Sequence, residues 1–399
     1  MRTVALYELL PFAVSIVGSE ERGFRGVAVD SRECEEGALF AALPGERTDG
    51  HHFIPDLIAG GVRAFLIARW FADENQERLD GWVKNDGASF LIAEDVLKTL
   101  QRAAEWYLSL MPQVRRIGIT GSSGKTTVKE LTAAVLGRRY RVAYTKGNLN
   151  SEIGLPLVAF SVDPDDEIAV FEMGINHPGE MDVLVRIVKP QTAVITNITS
   201  AHAGMFPDRD GLILEKMKIL SRAGNELTAF VNQNDENRSR YESAYPGTYI
   251  KYGFGVTPAV EAVENLGYEG WRLRIGSEEI VSPLFGRYNL ENICAAVAVG
   301  RAFGLTDEEV AGGIASVRSV GFGRSCLKNG RFFIIEDCYN ANPGSMAAAV
   351  DLFRETPSEG RRIFVAGAMR ELGTCSDECH RELGRQTAAA GFDAVLFYG

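Results

Sequence analysis

The segment GITGSSGKTT, residues 118–127, constrains the fold of this chain more than any other part of the sequence. It follows the apolar run RRIGIT. It precedes a stretch in which apolar residues recur at Val128, Leu131 and Val135, the spacing of one helix face. Glycines between a strand and a helix let backbone N–H groups approach an anion, and the helix N-terminus directs further N–H groups towards it. The segment therefore predicts a strand, a phosphate-binding loop and a helix of an α/β domain.

Residues of this loop have separate expected tasks. The Lys125 ammonium supplies a point charge for the outer phosphates of a nucleotide, and the Thr126 hydroxyl is a ligand for Mg²⁺. The predicted nucleotide-binding residues are Gly121, Ser122, Ser123, Gly124, Lys125, Thr126 and Thr127. Ile119 stands where the strict phosphate-loop pattern has its first glycine, so a plain glycine-rich turn is the alternative interpretation. The position between a buried strand and an amphipathic helix favours phosphate binding.

Net charge and hydropathy argue against several classes of protein for this chain. A formal net charge of −11 argues against a nucleic-acid binder or a membrane-surface protein, because both need a basic face. An acidic protein can still hold an anionic nucleotide with local lysines and helix N-termini. The apolar start of the chain is interrupted by Glu8 and Pro11, which favours a packed helix over a signal peptide. We therefore expect a monomeric cytoplasmic protein with no membrane insertion and no nucleic-acid partner.

Three blocks follow one another along the chain. Residues 1–112 mix short strand-like and helical runs, and residues 113–324 alternate buried strands with helices. The continuous apolar strands of the second block are typical of a parallel sheet that is covered on both faces. Residues 325–399 read strand, helix, strand, helix, strand, which is half of a doubly wound sheet with an exposed edge. Either the sequence is truncated or this last domain is unusually short.

Six segments occur in a fixed order: TGSSGKTT, KGNLNSEIGLPL, EMGINHPGEMD, ITNITSAH, GRYNLENICAA and EDCYNANPGSM. Together they resemble the Mur ligase family, and EMGINHPGE and YNANP are similar to segments of its member that adds D-alanyl-D-alanine. The stretch from Val29 to Phe53 is similar to the UDP-binding domain of the two last-acting members. The resemblance covers essentially the whole chain. It implies a UDP-sugar-binding domain (1–112), a central P-loop ATPase domain (113–324) and an incomplete Rossmann-like domain (325–399).

The resemblance also implies a reaction in peptidoglycan precursor synthesis. ATP phosphorylates a carboxyl group of UDP-N-acetylmuramoyl-tripeptide, and the amine of D-alanyl-D-alanine then displaces phosphate from the acyl phosphate. Such a reaction brings anions together, so it requires cations, here two Mg²⁺ ions and lysines. One alternative is the preceding ligase, which adds the third amino acid, although its Asp-Asn-Pro-Arg segment does not occur in this sequence. The other is a truncated, non-catalytic nucleotide-binding paralogue.

Catalytic and metal-binding roles follow from the same resemblance. It implies Mg²⁺ ligation by Thr126, Glu172, His202 and Lys216, the last as a carbamate, with Lys125 as a further catalytic residue. The residues alone also allow plainer interpretations. Glu172 would be a solvated or capping glutamate at a strand end, His202 a surface residue of a loop, and Lys216 a solvent-facing lysine of a helix. A carbamate instead requires an amine whose pKa is lowered by burial or by neighbouring cations.

The nucleoside and substrate sides complete the implied site. Asn289 and Asn292 correspond to adenine contacts, Arg324 to a γ-phosphate contact and Asp337 to a ribose contact. From the residues alone, Arg324 could instead be a surface arginine and Asp337 a turn-forming aspartate. The implied substrate-binding residues are Ser31, Arg32, Asn148, Asn150, Tyr339, Asn340, Asn342 and Ser345, with Asp49 and His51 as further UDP contacts. Ser345 is also expected to be a helix N-cap. Asp-Ser-Arg at 30–32 is equally compatible with a simple turn.

Overall fold

The computed structural model describes residues 2–45, 48–198, 206, 208–221, 227–318, 325–329, 332–338, 340–355, 360–370 and 372–399. Two compact units separate. The first comprises residues 1–114, 149–166 and 186–188, and the second comprises residues 115–148, 167–185 and 189–399. The domain limits at 112 and 324 stay predictions. No helix in the described ranges is long and apolar enough to cross a membrane.

Strands and helices alternate through both units. The strands are β1 (Val4–Ala5), β2 (Ser15–Val17), β3 (Gly23–Phe24), β4 (Val27–Ala28), β5 (Leu39–Ala41), β6 (Ala64–Ala68), β7 (Ser89–Ala93), β8 (Arg115–Thr120), β9 (Val142–Tyr144), β10 (Ile168–Glu172), β11 (Thr192–Ile195), β12 (Thr228–Asn232), β13 (Thr248–Tyr252), β14 (Val260–Asn265), β15 (Trp271–Ile275), β16 (Glu278–Ser282), β17 (Ser325–Asn329), β18 (Phe332–Glu336), β19 (Ile363–Gly367) and β20 (Ala394–Tyr398). The helices are α1 (Leu6–Leu9), α2 (Ile54–Ala59), α3 (Arg69–Glu74), α4 (Gln76–Asp86), α5 (Val96–Ser109), α6 (Lys125–Leu136), α7 (Gly154–Ser161), α8 (Glu180–Val188), α9 (Arg209–Ser221), α10 (Arg238–Ala244), α11 (Tyr288–Ala302), α12 (Asp307–Ser316), α13 (Pro343–Glu355) and α14 (Ser376–Ala389). The observed fold is α/β, as the sequence predicts.

A five-stranded sheet organises the first unit. Its order is β2-β7-β6-β5-β4, parallel except for β2, which pairs antiparallel with β7. β5, β6 and β7 are buried along their whole length, and Phe40, Phe65 and Phe90 meet in one core. The apolar short runs of this block therefore become the centre of a sheet, because both of their faces are covered.

His51 is buried at the carboxyl end of β6. Its Nδ1 lies 2.6 Å from Asp49 Oδ1, and its Nε2 accepts a hydrogen bond from Ala68 N at 3.0 Å. The ring is 1% exposed and packs against Trp70 and Phe71. Both ring nitrogens are engaged inside the domain, so His51 keeps the loop on the strand and has no nitrogen left for the UDP part of a substrate.

This geometry predicts a pH-dependent stability. Burial lowers the pKa of His51 below its ordinary value of 6.5 despite the Asp49 carboxylate, so folding favours the neutral ring. Below pH 6.5 the unfolded chain takes up a proton that the folded chain resists, and stability falls as the pH drops through that range. Loss of a buried hydrogen bond costs about 1–3 kcal/mol. We expect His51→Gln to lower the free energy of urea unfolding by about that amount at pH 7 and to flatten its decline below pH 6.5.

The neighbouring histidine supplies the control. His52 is exposed, so His52→Gln should change neither the free energy of unfolding nor its pH dependence. An equal response of the two variants would contradict the assigned role of the buried ring.

A six-stranded parallel sheet organises the second unit. Its order is β13-β12-β11-β8-β10-β9. β8, β10, β11 and β12 are buried almost throughout, which confirms the predicted parallel sheet with two covered faces. From β8 the chain builds β9 and β10 on one side and later strands on the other, so the strand order reverses at β8. In such sheets a crevice opens at this point, outside the carboxyl ends of the strands.

Helices α6, α11 and α12 cover one face of this sheet and share a hydrophobic core with it. Thr306 and Glu309 are three residues apart before an apolar run, a spacing that predicts a capping box. The structure forms it: Glu309 N donates to Thr306 Oγ1 at 3.3 Å, and Thr306 N donates to Glu309 Oε2 at 2.8 Å. The start of α12 is therefore specified locally by its own sequence.

An antiparallel sheet of β14, β15 and β16 was not expected from the sequence. β15 alternates buried and less buried residues, the mark of a sheet with one covered face. Trp271 and Leu273 join the core under α11 and α12, and the Trp271 indole donates to Gly286 O at 3.3 Å. The alternation is short and includes charged residues, so this segment lacks the continuous apolar run of a buried parallel strand.

The last block departs from the expected arrangement of its three strands. β18 pairs antiparallel with β17, whereas β19 and β20 pair in parallel with α14 between them. The parallel pair agrees with a Rossmann-like unit, whereas the strand–helix–strand pattern does not predict the β17–β18 hairpin. The glycines before and after residues 325–329 indicate a turn, so the sequence does not predict a strand there.

Candidate functional site

The carboxyl ends of three neighbouring strands meet at one edge of the six-stranded sheet. β8 leads into the glycine-rich loop, β10 ends at Glu172, and β11 leads to Thr196 and Asn197. β10 and β11 flank β8 on either side, with Glu172 opposite Ile119 and Ile195 opposite Thr120. The parallel sheet therefore brings three distant parts of the sequence to one edge.

Two glycines let the loop pass close to its neighbours. Gly121 has φ +153° and Gly124 has φ +81°, and Gly124 is the N-cap of α6. A Cβ on Gly121 would lie 1.9 Å from Thr196 Oγ1, and a Cβ on Gly124 would lie 2.5 Å from Asn292 Oδ1. Both contacts are too short for any side chain, so the loop keeps this path only with glycine.

Asn197 and Thr196 hold the loop from β11, a role that sequence reasoning missed. Ser122 N donates to Asn197 O at 2.7 Å, and Ser123 N donates to Asn197 Oδ1 at 3.0 Å. The Thr196 hydroxyl donates to Ser123 O at 2.6 Å. These bonds occupy the first N–H groups of the loop. The groups left for an anion are those of the first turn of α6, which have no intrahelical acceptor.

Lys125 occupies the space inside the loop. Its ammonium donates to Gly121 O at 2.8 Å and to Ser122 O at 3.2 Å. Burial lowers the pKa of Lys125, and the nearby Glu172 carboxylate offsets part of that effect. Carbonyl oxygens thus hold the charge that the sequence assigns to nucleotide phosphates.

Lys216 reaches the same loop from α9. It is 1% exposed, and its ammonium donates to Gly121 O at 3.2 Å, which excludes the solvent-facing alternative. Burial lowers the pKa of Lys216 well below its ordinary value, and the charge of Lys125 lowers it further, while Glu180 and Glu215 act in the opposite direction. A lowered pKa favours the unprotonated amine, and carbamate formation requires an unprotonated amine.

Glu215 sets the position of α9, a role that the sequence did not predict. Its Oε1 accepts from Gly179 N at 2.9 Å and from Met181 N at 3.1 Å, at the N-terminus of α8. Its other oxygen pairs with Lys218 at 2.8 Å. A carboxylate at a helix N-terminus is favoured by the helix dipole. The Glu215 carboxylate therefore ties α9, and hence Lys216, to the start of α8.

Glu172 and Thr126 bring two oxygen ligands together. The Thr126 hydroxyl donates to Glu172 Oε1 at 3.1 Å. Glu172 is 1% exposed, and its backbone N–H donates to Thr145 Oγ1 at 3.0 Å, which fixes the end of β10. The solvated-glutamate alternative is excluded by this burial. Hydroxyl and carboxylate oxygens are the donors that Mg²⁺ prefers.

Asn289 and Asn292 form a buried pair on α11. Asn292 Nδ2 donates to Asn289 Oδ1 at 2.9 Å, and Asn289 Nδ2 donates to Phe285 O at 2.8 Å. These bonds orient Asn292 Oδ1 towards Gly124. The structure therefore brings Asn292 to the phosphate-binding loop, and the adenine role implied for this pair stays a prediction.

Family models match three consecutive stretches of the chain. The Mur ligase middle domain matches residues 119–300, the Mur ligase glutamate ligase domain residues 323–399, and the Mur ligase family catalytic domain residues 23–105. The UDP-N-acetylmuramoyl-tripeptide--D-alanyl-D-alanine ligase of Treponema pallidum is 38% identical over 95% of this chain and 81% of its own length. The chain belongs to the Mur ligase family. The three-domain α/β fold expected from the sequence is confirmed.

Solved Mur ligases share the fold. A crystal structure of MurF from Acinetobacter baumannii matches with a TM-score of 0.84 and 29% identity, over 100% of this chain and 86% of that one. The MurF ligase from Thermotoga maritima in complex with ADP matches with a TM-score of 0.77 and 27% identity, over 94% and 84% of the two chains. Adenine-nucleotide binding thus accompanies this fold in a relative.

Three residues of the implied Mur ligase site, His202, Arg324 and Tyr339, lie outside the described residues. Their roles stay predictions. Asp337 follows β18 and is exposed, and Asn340 is exposed three residues further on. A role of Asp337 at the ribose stays a prediction too.

The N-cap of α13 is Asn342, and the prediction of Ser345 was wrong. Ser345 N donates to Asn342 Oδ1 at 2.9 Å, and Asn342 N donates to Ser345 Oγ at 3.0 Å. α13 begins at Pro343, because proline is compatible with the first helical position, so the cap lies just before it. The two predicted substrate residues therefore bond each other in a reciprocal cap.

The remaining predicted substrate residues lie elsewhere in the Mur ligase chain. Ser31 and Arg32 belong to the first unit, and the loop belongs to the second. Asp30 accepts from Arg32 N at 2.9 Å and pairs with its guanidinium at 2.5 Å, so Asp-Ser-Arg forms a turn. The Arg32 guanidinium lowers the pKa of Asp30 to about 2. Asn148 and Asn150 lie between β9 and α7, and their substrate role stays a prediction.

Proposed function

We propose that this chain is an ATP-dependent ligase that joins D-alanyl-D-alanine to UDP-N-acetylmuramoyl-tripeptide. The observation that carries the proposal is the convergence of Lys125 and Lys216 on Gly121 O, beside the Thr126–Glu172 pair. Cations and oxygen ligands around one loop suit phosphoryl transfer to a carboxylate, because charge must be neutralised while two anions approach. The relative from Treponema pallidum carries the name of this activity.

The residues present fit a Mg²⁺ ion. Thr126 and Glu172 supply hard oxygen donors that already lie 3.1 Å apart, and Lys216 would add a third oxygen if it is carbamylated. Bound there, Mg²⁺ would orient the nucleotide phosphates and screen their charge. His202 is proposed as a ligand of a second ion on the family resemblance alone.

The chain's own groups divide the work of the two chemical steps. The N–H groups of the first turn of α6 and the Lys125 ammonium bind the phosphates of ATP. The tripeptide carboxylate attacks the γ-phosphorus, the bond to the β-phosphate oxygen breaks, and ADP leaves. The dipeptide amine then attacks the acyl carbon, loses a proton, and phosphate departs with the acyl oxygen. Lys125 must leave Gly121 O to follow the transferred charge.

Phosphate release distinguishes this function from its two alternatives. With ATP, Mg²⁺ and UDP-N-acetylmuramoyl-tripeptide, we expect release only when D-alanyl-D-alanine is added, with one pentapeptide formed per phosphate. The preceding ligase would instead act on the dipeptide-linked precursor and a diamino acid. A chain that binds ADP in calorimetry yet releases no phosphate under any of these conditions would be the non-catalytic paralogue, and the proposal would be wrong.

Carbamylation of Lys216 is part of the proposed chemistry. The lowered pKa leaves the amine neutral at a pH where an ordinary lysine is charged, and a neutral amine adds CO₂. The resulting carbamate would place an anion beside the Lys125 ammonium, and the two charges attract each other. It would also supply the third oxygen donor.

Replacement of Lys216 separates stability from activity. Because its folded-state pKa lies well below 10.5, the unfolded chain binds a proton that the folded chain resists, and this costs stability at every pH below 10.5. In bicarbonate-free buffer at pH 7 we expect Lys216→Met to raise the free energy of unfolding. Turnover should fall by about 10²-fold or more, the cost of losing one group that stabilises charge.

Carbon-13 NMR after labelling with ¹³C-bicarbonate tests the carbamate directly. We expect a carbamate resonance that is lost in Lys216→Met. Lys98→Met is the control, because Lys98 is an exposed lysine of α5. A resonance that persists in Lys216→Met, or disappears in Lys98→Met, would refute the assignment.

A further inference from the structure

Lys129 is a fully buried lysine that the proposed mechanism does not use. It lies on α6 one turn after Lys125 and is 0% exposed. Its ammonium is 2.8 Å from Glu130 Oε1, 3.9 Å from Glu172 Oε2 and 5.8 Å from the centre of the Tyr144 ring. Removing an ammonium group from water is costly unless it is paired, and Glu130 and Glu172 are the two carboxylates beside it.

The more distant of these carboxylates, Glu172, is the one that also contacts Thr126. One carboxylate oxygen accepts from the Thr126 hydroxyl, and the other faces Lys129. Thr126 and Lys129 are three residues apart and lie on the same face of α6. Two side chains of one helix therefore lie beside the two oxygens of a single buried carboxylate at the end of β10. Thr126 does so through a hydrogen bond of 3.1 Å, and Lys129 through its charge at 3.9 Å.

We propose that Lys129 is a positioning residue for the metal site. Its ammonium is anchored by Glu130 and faces Glu172 Oε2. Its charge keeps the carboxylate turned so that Oε1 stays beside Thr126 Oγ1, where a divalent cation would take both oxygens. This inference rests on the proposed function, because it assumes that Thr126 and Glu172 bind a metal. The competing interpretation is a purely structural ion pair that ties α6 to β10.

Manganese binding tests the proposal without any turnover. Mn²⁺ takes the same oxygen donors as Mg²⁺, and its binding is measured by electron paramagnetic resonance at saturating ADP. We expect Lys129→Met to raise the Mn²⁺ dissociation constant about tenfold, because the carboxylate loses its fixed orientation. ADP affinity in EDTA should change less than twofold. Lys129→Arg keeps the charge and should bind Mn²⁺ more tightly than Lys129→Met.

A double-mutant cycle shows whether Lys129 acts through Glu172. In the Glu172→Gln background, Lys129→Met should have no further effect on the Mn²⁺ dissociation constant. Lys98→Met is the control, since Lys98 is exposed on α5 and should leave Mn²⁺ binding unchanged. If Lys129→Met does not fold, Lys129→Gln removes the same charge from a more polar side chain and should give the same tenfold loss.

The outcomes are distinct. A Mn²⁺ dissociation constant unchanged in both neutral variants, with or without a loss of thermal stability, would leave a structural ion pair and overturn the inference alone. Failure of the unsubstituted chain to bind Mn²⁺ with ADP would overturn the metal site of the proposed function, and this inference with it. An equal loss in the Glu172→Gln background would show that Lys129 acts by another route.

Discussion

Replacement of Lys125 by methionine should lower turnover by about 10²–10³-fold, the cost of removing one preorganised group that stabilises developing charge. The ammonium lies inside the loop, where it donates to Gly121 O and Ser122 O. Methionine has a similar length and no charge, so it fills the space but cannot neutralise a transferring phosphoryl group. The measurement is phosphate release at saturating ATP, tripeptide precursor and dipeptide.

Binding and stability separate this effect from damage to the fold. Lys125→Met should still unfold cooperatively, and it should lose less in ADP affinity than in turnover, because the N–H groups of α6 remain. Lys84→Met is the control, since Lys84 is exposed on α4 and lies outside the six segments that resemble Mur ligases. Turnover of Lys125→Met within threefold of the unsubstituted chain would contradict a catalytic lysine at this position.

Replacement of Gly124 by alanine should abolish nucleotide binding at the loop. A non-glycine residue in the left-handed region costs about 1–2 kcal/mol, and Gly124 has φ +81°. In addition, the new Cβ would lie 2.5 Å from Asn292 Oδ1, which must move or push the start of α6 aside. We expect ADP affinity in calorimetry to fall at least a hundredfold.

A second glycine isolates the steric part of this effect. Gly179 is the N-cap of α8 and has φ +92°, and a Cβ added to it would meet no atom within 4 Å. Gly179→Ala therefore carries the same backbone strain without the clash, and it should lose stability with little change in ADP affinity. Adding Asn292→Ala to Gly124→Ala should recover part of the binding. Equal ADP affinities of the two glycine variants would show that backbone strain alone decides the effect.

Local pattern was enough to predict the frame of the site. The strand before the loop, the loop and α6 are adjacent in sequence, and their glycines and apolar spacing report on the same few turns of chain. The capping box of α12 was readable for the same reason, because Thr306 and Glu309 contact each other across one turn. Ser345 shows where local pattern is insufficient. The sequence predicted a helix cap in this segment, but whether Asn342 or Ser345 is the cap depended on where α13 begins.

Contacts between distant segments could not be read in this way. Asn197 holds the loop across 74 residues of sequence, and Lys216 reaches Gly121 across 95. Nothing local distinguishes Lys216 from an exposed lysine, since polar and apolar residues surround it on α9. Lys129 and Glu215 gave no signal at all, because their significance lies in the carboxylate or helix end that each one meets.

The sequence by itself determined that a glycine-lined anion site follows a buried strand, that the strands around it are parallel, and that the chain resembles Mur ligases throughout. These properties depend on backbone freedom, hydrophobic periodicity and motif order, all of which are written along the chain. Only the tertiary structure decided which charges are buried together at that site. Burial and pairing depend on the crossing of β8, β10 and α9, and the free energy of a buried charge is set by what faces it across that space.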